Sequence, residues 1–467
     1  MAQIGILAIC IILPLFLVTD YYVLPFVMLI AVIGGLVILK KPFIGLLIYL
    51  LIFYVRPQEI WFTQVVALEK TIGIAMLVLT FLKLKMQDDF KFNITGVHYA
   101  VAGFVLAMLL TVSTSIWISR SWEVWVKAIR LLIVFFCVIH LVDTEKQFKF
   151  FILYTILGTA FHATSAVVNY YNGIRKVEMG IERAFAMDTS LGDPNSLAAT
   201  IIYTLPLIYY YFTKKTSISI RILLFGISLI ALWCIVLTGS RTGMSGVLVF
   251  GMLIIWERRH KIRNFIVIAS LLIIGWVIMP DQYKERFISV TDMDTSEDAT
   301  GAAVSARSRY EFLKYGFVML MDRPIYGYGP GNFSTAMGTI YGNTWLQAHT
   351  LPAQLMSEMG LLGIISFGFW IYLLAANIKR LKSHFKSTGN IFMLNMTLAM
   401  KAHIWLLFFM GVGGHNLYRY NWYILSAIVV MMMKEGISGF GKTETGGRKI
   451  QELEPGKMLS EATEEGN

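Results

Sequence analysis

The sequence predicts an all-α polytopic membrane protein, a bundle of about 12–14 transmembrane helices with one large extracytoplasmic helical loop. Three observations predict it. Apolar residues make up 57% of the 467-residue chain and the mean hydropathy is +0.65, more than a soluble domain carries. Apolar runs long enough for a crossing helix recur along the chain. Lysines and arginines concentrate in every second connection, the pattern that positive-inside insertion leaves behind.

In chain order the apolar runs cover 3–19, 21–39, 43–55, 65–82, 97–117, 124–142, 150–168, 195–212, 221–238, 243–256, 262–279, 351–378, 391–412 and 422–434. The runs 43–55 and 422–434 are short for a crossing and read as tilted or re-entrant. Residues 1–19 lack a basic start and a small-residue cleavage site, so the first run reads as a retained span. With the N-terminus inside, the inner connections hold Lys40 and Lys41, Lys83, Lys85 and Lys91, Lys146 and Lys149, then Lys214, Lys215 and Arg221. They continue with Arg258, Arg259, Lys261 and Arg263, and with Lys379, Arg380, Lys382 and Lys386. The outer connections are then 169–194, 239–242, 281–350 and 413–421. Residues 1–434 form a single transmembrane domain, and 435–467 a cytoplasmic tail whose Glu, Lys and Gly content predicts disorder. The net charge of +11 follows from this topology and implies no nucleic-acid partner. Cys10, Cys137 and Cys234 lie inside apolar runs and read as small core residues, with no disulfide or metal framework.

Chemistry has to be sought among polar residues on the outer side. His260 and His384 fall in inner connections and His98 and His140 at inner helix ends, while His403 is mid-span and reads as a helix–helix hydrogen-bonding residue. His162, His349 and His415 lie near the outer face, and of these His349 alone adjoins the 281–350 loop. Arg241, in the turn Leu237-Thr238-Gly239-Ser240-Arg241-Thr242-Gly243, has two readings. It is either an interfacial arginine reaching lipid headgroups or part of an anion site, where glycines, a helix N-terminus and a guanidinium meet. Arg307 and Arg309 open a helix-period segment with Tyr310, Leu313, Phe317 and Leu320 on its apolar face and Arg307, Glu311 and Lys314 on its polar one. That is an amphipathic helix on the membrane surface or over a cavity. Glu123, Lys127 and Arg130 share one face of the sixth run, an electropositive wall for an anionic lipid headgroup. Asp193-Pro194-Asn195 reads as a helix start with Asp193 as N-cap, and Arg183 hangs over it.

Two motifs carry less than they suggest. Gly327-Tyr328-Gly329-Pro330-Gly331 lacks the Lys-Ser/Thr of a phosphate loop and reads as a turn that bends the chain back to the membrane. Asp292-Met293-Asp294, with Glu297 and Asp298, reads as a solvated acidic loop rather than a metal site.

Taken together, these pieces resemble the O-antigen ligase/polymerase superfamily of bacterial envelope glycosyltransferases. The resemblance rests on the Thr238-Gly239-Ser240-Arg241 turn and on Arg309, fifteen residues before Pro324 and the Gly327–Phe333 run. It rests also on His349, on Glu358-Met359-Gly360-Leu361-Leu362-Gly363 behind it, and on the Asp193–Ala198 start, and it spans roughly residues 180–430. Where the family pattern usually has Asn after the histidine, this chain has Thr350. The resemblance implies a GT-C-like membrane fold without cofactor or metal. It also implies inverting transfer of a glycan from a polyprenyl-diphosphate carrier to an acceptor hydroxyl on the extracytoplasmic face.

On that reading Arg241 and Arg309 stabilise the diphosphate leaving group, with Arg183 as a third candidate, and Arg307, Lys127 and Arg130 line the substrate groove. His349 is the base that takes the acceptor proton, and Glu358, nine residues on, stands behind it. The partners implied are the lipid-linked glycan donor, membrane lipids and an acceptor. That acceptor is lipid A–core (ligase), another glycan (polymerase) or a protein hydroxyl (O-oligosaccharyltransferase). The location implied is a bacterial inner membrane, with the site facing the periplasm or exterior. A flippase or transporter of an anionic lipid, using the same arginines, is the competing class. Polar residues concentrated on one side rather than at the midplane, and no visible inverted repeat, count against it.

Overall fold

The computed structural model describes residues 38–56, 68–86, 94–178, 180–187, 191–213, 216–258, 260–288, 301–342 and 345–438. The first apolar run, Cys10, the Asp292-Met293-Asp294 motif and the chain beyond 438 lie outside the described residues. The helices are α1 (Pro42–Val55), α2 (Leu68–Lys85), α3 (Gly96–Val112), α4 (Ile118–Leu141), α5 (Glu145–Tyr171), α6 (Pro194–Tyr211), α7 (Ile218–Leu237) and α8 (Arg241–Glu257). They continue with α9 (Lys261–Ile278), α10 (Asp281–Ile288), α11 (Gly301–Asp322), α12 (Phe333–Thr339), α13 (Leu351–Thr388), α14 (Ile391–Val412) and α15 (Tyr420–Ser438). The only sheet among the described residues is a short hairpin between α5 and α6, where β1 (Lys176–Glu178) pairs antiparallel with β2 (Ile181–Arg183). Six helices, α4, α5, α7, α9, α13 and α14, have the length and hydropathy to cross a membrane, and α1 and α3 are shorter apolar helices. The chain is an all-α polytopic membrane protein.

Helix starts follow from local capping. Thr144 and Gln147 form a reciprocal capping box at α5. Asp193 accepts from the Ser196 amide at 2.8 Å with Pro194 opening α6. Ser240 accepts from Gly243 at α8 and Thr350 from Ala353 at α13, both at 3.2 Å. Thr350 therefore does the capping work that an asparagine would do equally well. The last apolar run extends beyond its sequence limits, since α15 runs from Tyr420 to Ser438 rather than stopping at 434.

α13 is the central element, packed on α3, α11, α14 and α15, while α14 packs on α6 and α5 on α7. Trp370 of α13, fully buried, donates to Ser426 of α15 at 2.9 Å. By contrast α9 has no buried residue, and its exposed Phe265, Leu271, Ile273 and Val277 give it the surface of a helix bathed in lipid. Cys137 and Cys234 are free and buried, as core residues are. His403 departs from its expected role: it stacks on Tyr203 at 5.7 Å and 13°, and its ring nitrogens have no hydrogen-bond partner among the described residues.

The described residues of the 281–350 region are mostly helical. Its amphipathic helix, α11, buries Phe312, Gly316, Met319 and Leu320 and exposes Tyr310, Leu313 and Phe317, so of the apolar face read from the sequence only Leu320 turns inward. The reason is backbone approach. A Cβ at Gly316 would lie 2.7 Å from the Ala353 Cα, so only the glycine side can close on α13. The outward apolar side is then left for lipid.

α13 is not one continuous span. At Gly360 the backbone leaves helical geometry, with φ 59° and ψ −151°, and the 324–332 turn fits into the break. Tyr328 and Gly329 amides donate to the Ser357 and Glu358 carbonyls at 2.8 and 2.9 Å, and Leu361 and Leu362 amides to Pro324 and Ile325 at 2.7 and 3.1 Å. Carbonyls and amides freed by the break are thus paired by the turn, which is what makes a broken helix tolerable inside a membrane protein. A Cβ at Gly360 would sit 2.6 Å from the Pro324 carbonyl oxygen, and one at Gly327 would sit 2.7 Å from Glu358 backbone. Glycine is required at both. Asn332 holds the turn to the start of α4, donating to Ser115 and Ser121 at 2.6 and 2.9 Å.

Candidate functional site

A cavity of about 620 Å³ opens where the starts of α6 and α8, the first described turns of α11, the approach to α13 and the turn after α14 converge. It is of the size that binds small organic groups. His349, Arg309, Phe312, Thr242, Asn195, Ser196, His415 and Arg419 are among its lining residues.

His349 stands immediately before the Thr350 cap of α13, in left-handed backbone geometry at φ 47°. That conformation is costly for a non-glycine residue and is found where function or surrounding structure enforces it. Its ring lies 5.8 Å from Phe312 and 5.6 Å from His415, centroid to centroid. Burial pushes the His349 imidazole below its ordinary range; the Asp193 carboxylate opposes this and the Arg309 charge reinforces it. Neutral imidazole is the outcome at neutral pH. His415 is pushed down to about 4 by burial, then by Arg419 and His349. Burial would raise the Asp193 carboxyl, but two hydrogen bonds from Ser196 and the charges of Arg183 and Arg419 outweigh it and hold the group below the usual carboxylate range.

Arg309 reaches Thr242 at the start of α8 with a long 3.5 Å contact. Arg241, the first residue of α8, is not among the cavity's lining residues but lies within electrostatic reach of Arg309 and of Arg183. Two guanidinium groups therefore flank a helix N-terminus whose cap, Ser240, is uncharged. The α6 N-terminus differs, since Asp193 already supplies an anion there.

The other sequence candidates separate. Arg183 is buried and engaged on all sides: it donates to the Thr238 carbonyl at 2.6 Å, to Glu178 at 2.8 Å and to Asn195 at 2.9 Å. It does not line the cavity; it clamps the hairpin to the turn that presents Arg241. Lys127 and Arg130 do not line the cavity either. Lys127 is exposed, Arg130 lies within electrostatic reach of Tyr49 on α1, and Glu123 pairs with Arg120 at 3.7 Å. The i, i+4, i+7 spacing put three charges on one face, and of these Glu123 and Lys127 are exposed on the outside of the bundle. Arg307 lies within α11, and its side chain is outside the described residues.

Glu358 does not meet His349. It is 1% exposed and accepts from the Gly331 amide at 2.8 Å, the Phe333 amide at 3.4 Å and the Tyr418 hydroxyl at 2.8 Å. Gln354, one turn earlier on α13, accepts from the Leu417 amide at 3.2 Å. These two side chains tie the glycine-rich turn and the 413–419 turn to the helix that begins beside His349. His162 is buried elsewhere, 2.5 Å from the Tyr54 carbonyl.

Sequence reading placed His415 near the outer face but passed it over for His349, and it did not single out Arg419. Arg419 donates to Ser196 across the cavity. A signal existed, since both sit in an outer turn between two spans, but judging histidines by proximity to the large loop measures distance along the chain rather than through space. Among the described residues, no cluster of His, Cys, Asp and Glu could hold a metal ion.

Among the described residues the helices thus form a polytopic bundle with a polar cavity lined by imidazoles and guanidiniums. Residues 226–368, about a third of the chain, match the family model of the O-antigen ligase domain, so that segment is similar to the O-antigen ligase family. The matched segment contains Arg241, Arg309, His349 and Glu358, and ends before His415 and Arg419. No curated protein matches the chain.

Proposed function

We propose that the chain transfers a glycan from a polyprenyl-diphosphate carrier to an acceptor hydroxyl, with inversion and without a metal, in the manner of an O-antigen ligase. The observation that carries this is the meeting of His349 and Arg309 in one cavity, at the N-terminal end of α8. A diphosphate leaving group is already acidic and needs charge stabilisation rather than a proton. Arg309 and Arg241 supply it, with the positive end of the α8 dipole behind them. The acceptor oxygen forms its bond to the anomeric carbon as the carbon–oxygen bond to diphosphate breaks, the electron pair leaving on the phosphate oxygen. His349 takes the acceptor proton. Attack opposite the departing diphosphate inverts the anomeric centre.

Purified chain in detergent, given a polyprenyl-diphosphate glycan and lipid A–core, should form glycosylated acceptor and free polyprenyl diphosphate in the presence of EDTA. Activity that disappears in EDTA and returns with magnesium contradicts the metal-free reading, and no transfer to any hydroxyl acceptor contradicts the function itself.

The site faces out of the cytoplasm in this reading, with residues 1–434 as one membrane domain and both ends of the chain inside. Support comes from α13: His349 adjoins one end, and Lys379, Arg380, Lys382 and Lys386 crowd the other. In a background with the native cysteines replaced, Thr339→Cys should label from outside intact spheroplasts and Ser387→Cys only after permeabilisation. The reverse pattern would put the cavity on the nucleotide side.

A further inference from the structure

The 413–419 turn gives the cavity a second imidazole, and its chemistry differs from the first. His415 Nδ1 is buried with no hydrogen-bond partner among the described residues, and the ring lines the cavity. An orphaned N–H is rarer and costlier than an orphaned lone pair. The proton of the neutral ring therefore belongs on Nε2, the nitrogen left to face the cavity. His415 presents a hydrogen-bond donor where His349 must present an acceptor.

The spacing suits a single oxygen between the rings. The two centroids are 5.6 Å apart at 63°, close enough for one oxygen to sit within hydrogen-bond distance of a nitrogen of each ring. A hydroxyl there has complementary needs: its proton requires an acceptor and its lone pairs require a donor. The turn that carries His415 is also held in register with the His349 end of α13, through Leu417 on Gln354 and Tyr418 on Glu358. Two imidazoles fixed to one frame form a seat for an alcohol.

We infer that His415 is the acceptor-positioning residue of the site: its Nε2–H donates to the oxygen of the acceptor hydroxyl while His349 removes that hydroxyl's proton. This rests on the function proposed above. The acceptor O–H proton passes to the His349 ring nitrogen, the oxygen bonds to the anomeric carbon, and the diphosphate leaves with its bonding pair. His415 keeps its proton throughout and serves to point a lone pair at the anomeric carbon.

The test uses purified full chain, lipid A–core as acceptor, and polyprenyl diphosphate as the probe of the donor side. His415→Phe keeps a flat ring without a donor and should raise the acceptor KM about tenfold or more, the worth of one hydrogen bond. Polyprenyl-diphosphate affinity and melting temperature should stay at wild-type values. His415→Gln, whose amide restores an N–H at similar reach, should recover most of the lost transfer. Wild-type kinetics in His415→Phe overturn the inference. So does a parallel loss of polyprenyl-diphosphate affinity, which would mean that His415 serves the leaving group. If His349→Ala retains transfer while His415→Phe abolishes it, the base assignment beneath the inference is what fails.

Discussion

Replacement of His349 by alanine is expected to lower glycan transfer by about 10²–10⁴-fold, or about 3–5 kcal/mol of barrier, the range a positioned general base supplies. Binding of the diphosphate donor should persist, since Arg241 and Arg309 are untouched. The same residue sets the acid limb of the pH profile. Catalysis needs neutral imidazole, and burial with the Arg309 charge holds the His349 pKa below its ordinary value against the pull of Asp193. The midpoint of the acid limb should therefore lie below the ordinary imidazole value of about 6.5, where the ring takes up its proton. His415 gains its charge lower still, at about 4. A rate profile already falling well above pH 6.5 would contradict an imidazole in this setting. Near wild-type transfer by His349→Ala would remove the base from this cavity altogether.

Arg241→Ala and Arg309→Ala are each expected to cost about 10²–10³-fold in turnover, the loss seen when one preorganised donor to a developing anion is deleted. The two arginines flank the same helix start, so their effects should not be additive. Lysine at either position keeps the charge but not the planar fork that grips two phosphate oxygens, and should restore little. Arg183→Ala should behave differently. Its guanidinium is consumed by Thr238, Glu178 and Asn195, so the variant should lose thermal stability, with its turnover defect following from a displaced turn. Near-normal transfer by both lysine variants at 241 and 309 would mean that any local positive charge suffices, and the bidentate reading would fall.

Much of this architecture is legible in residues taken alone. Apolar runs located the helices from 43–55 onward because crossing length is set by the bilayer rather than by neighbours. The Asp193 cap fixed a helix start because its hydrogen bond closes within three residues. The glycine-rich run at 327–331 announced a turn, and it is one. The face of α11 was not legible, because apolar residues occupy both sides and only the contact of Gly316 with Ala353 selects between them. Nor was the break at Gly360, where a helical glycine and a left-handed one look alike until the 324–332 turn supplies the missing partners.

What the sequence determined by itself is therefore the class of protein and the chemical types it brings to one side of the membrane: a histidine before a span, arginines at a glycine turn and on an amphipathic helix. What only the tertiary structure decided is which of them meet. Arg183, Lys127 and Arg130 had equal claims by charge and depth, and packing directs them elsewhere. His415 and Arg419, lying 66 and 70 positions beyond His349 in the chain, come to share its cavity because α13 and α14 run antiparallel and return the chain to the same end. Periodicity and capping act over a few residues, so sequence records them. A cavity is assembled by helices whose contacts are set by small residues and buried polar ties far apart in the chain, so its membership is a property of the packed bundle.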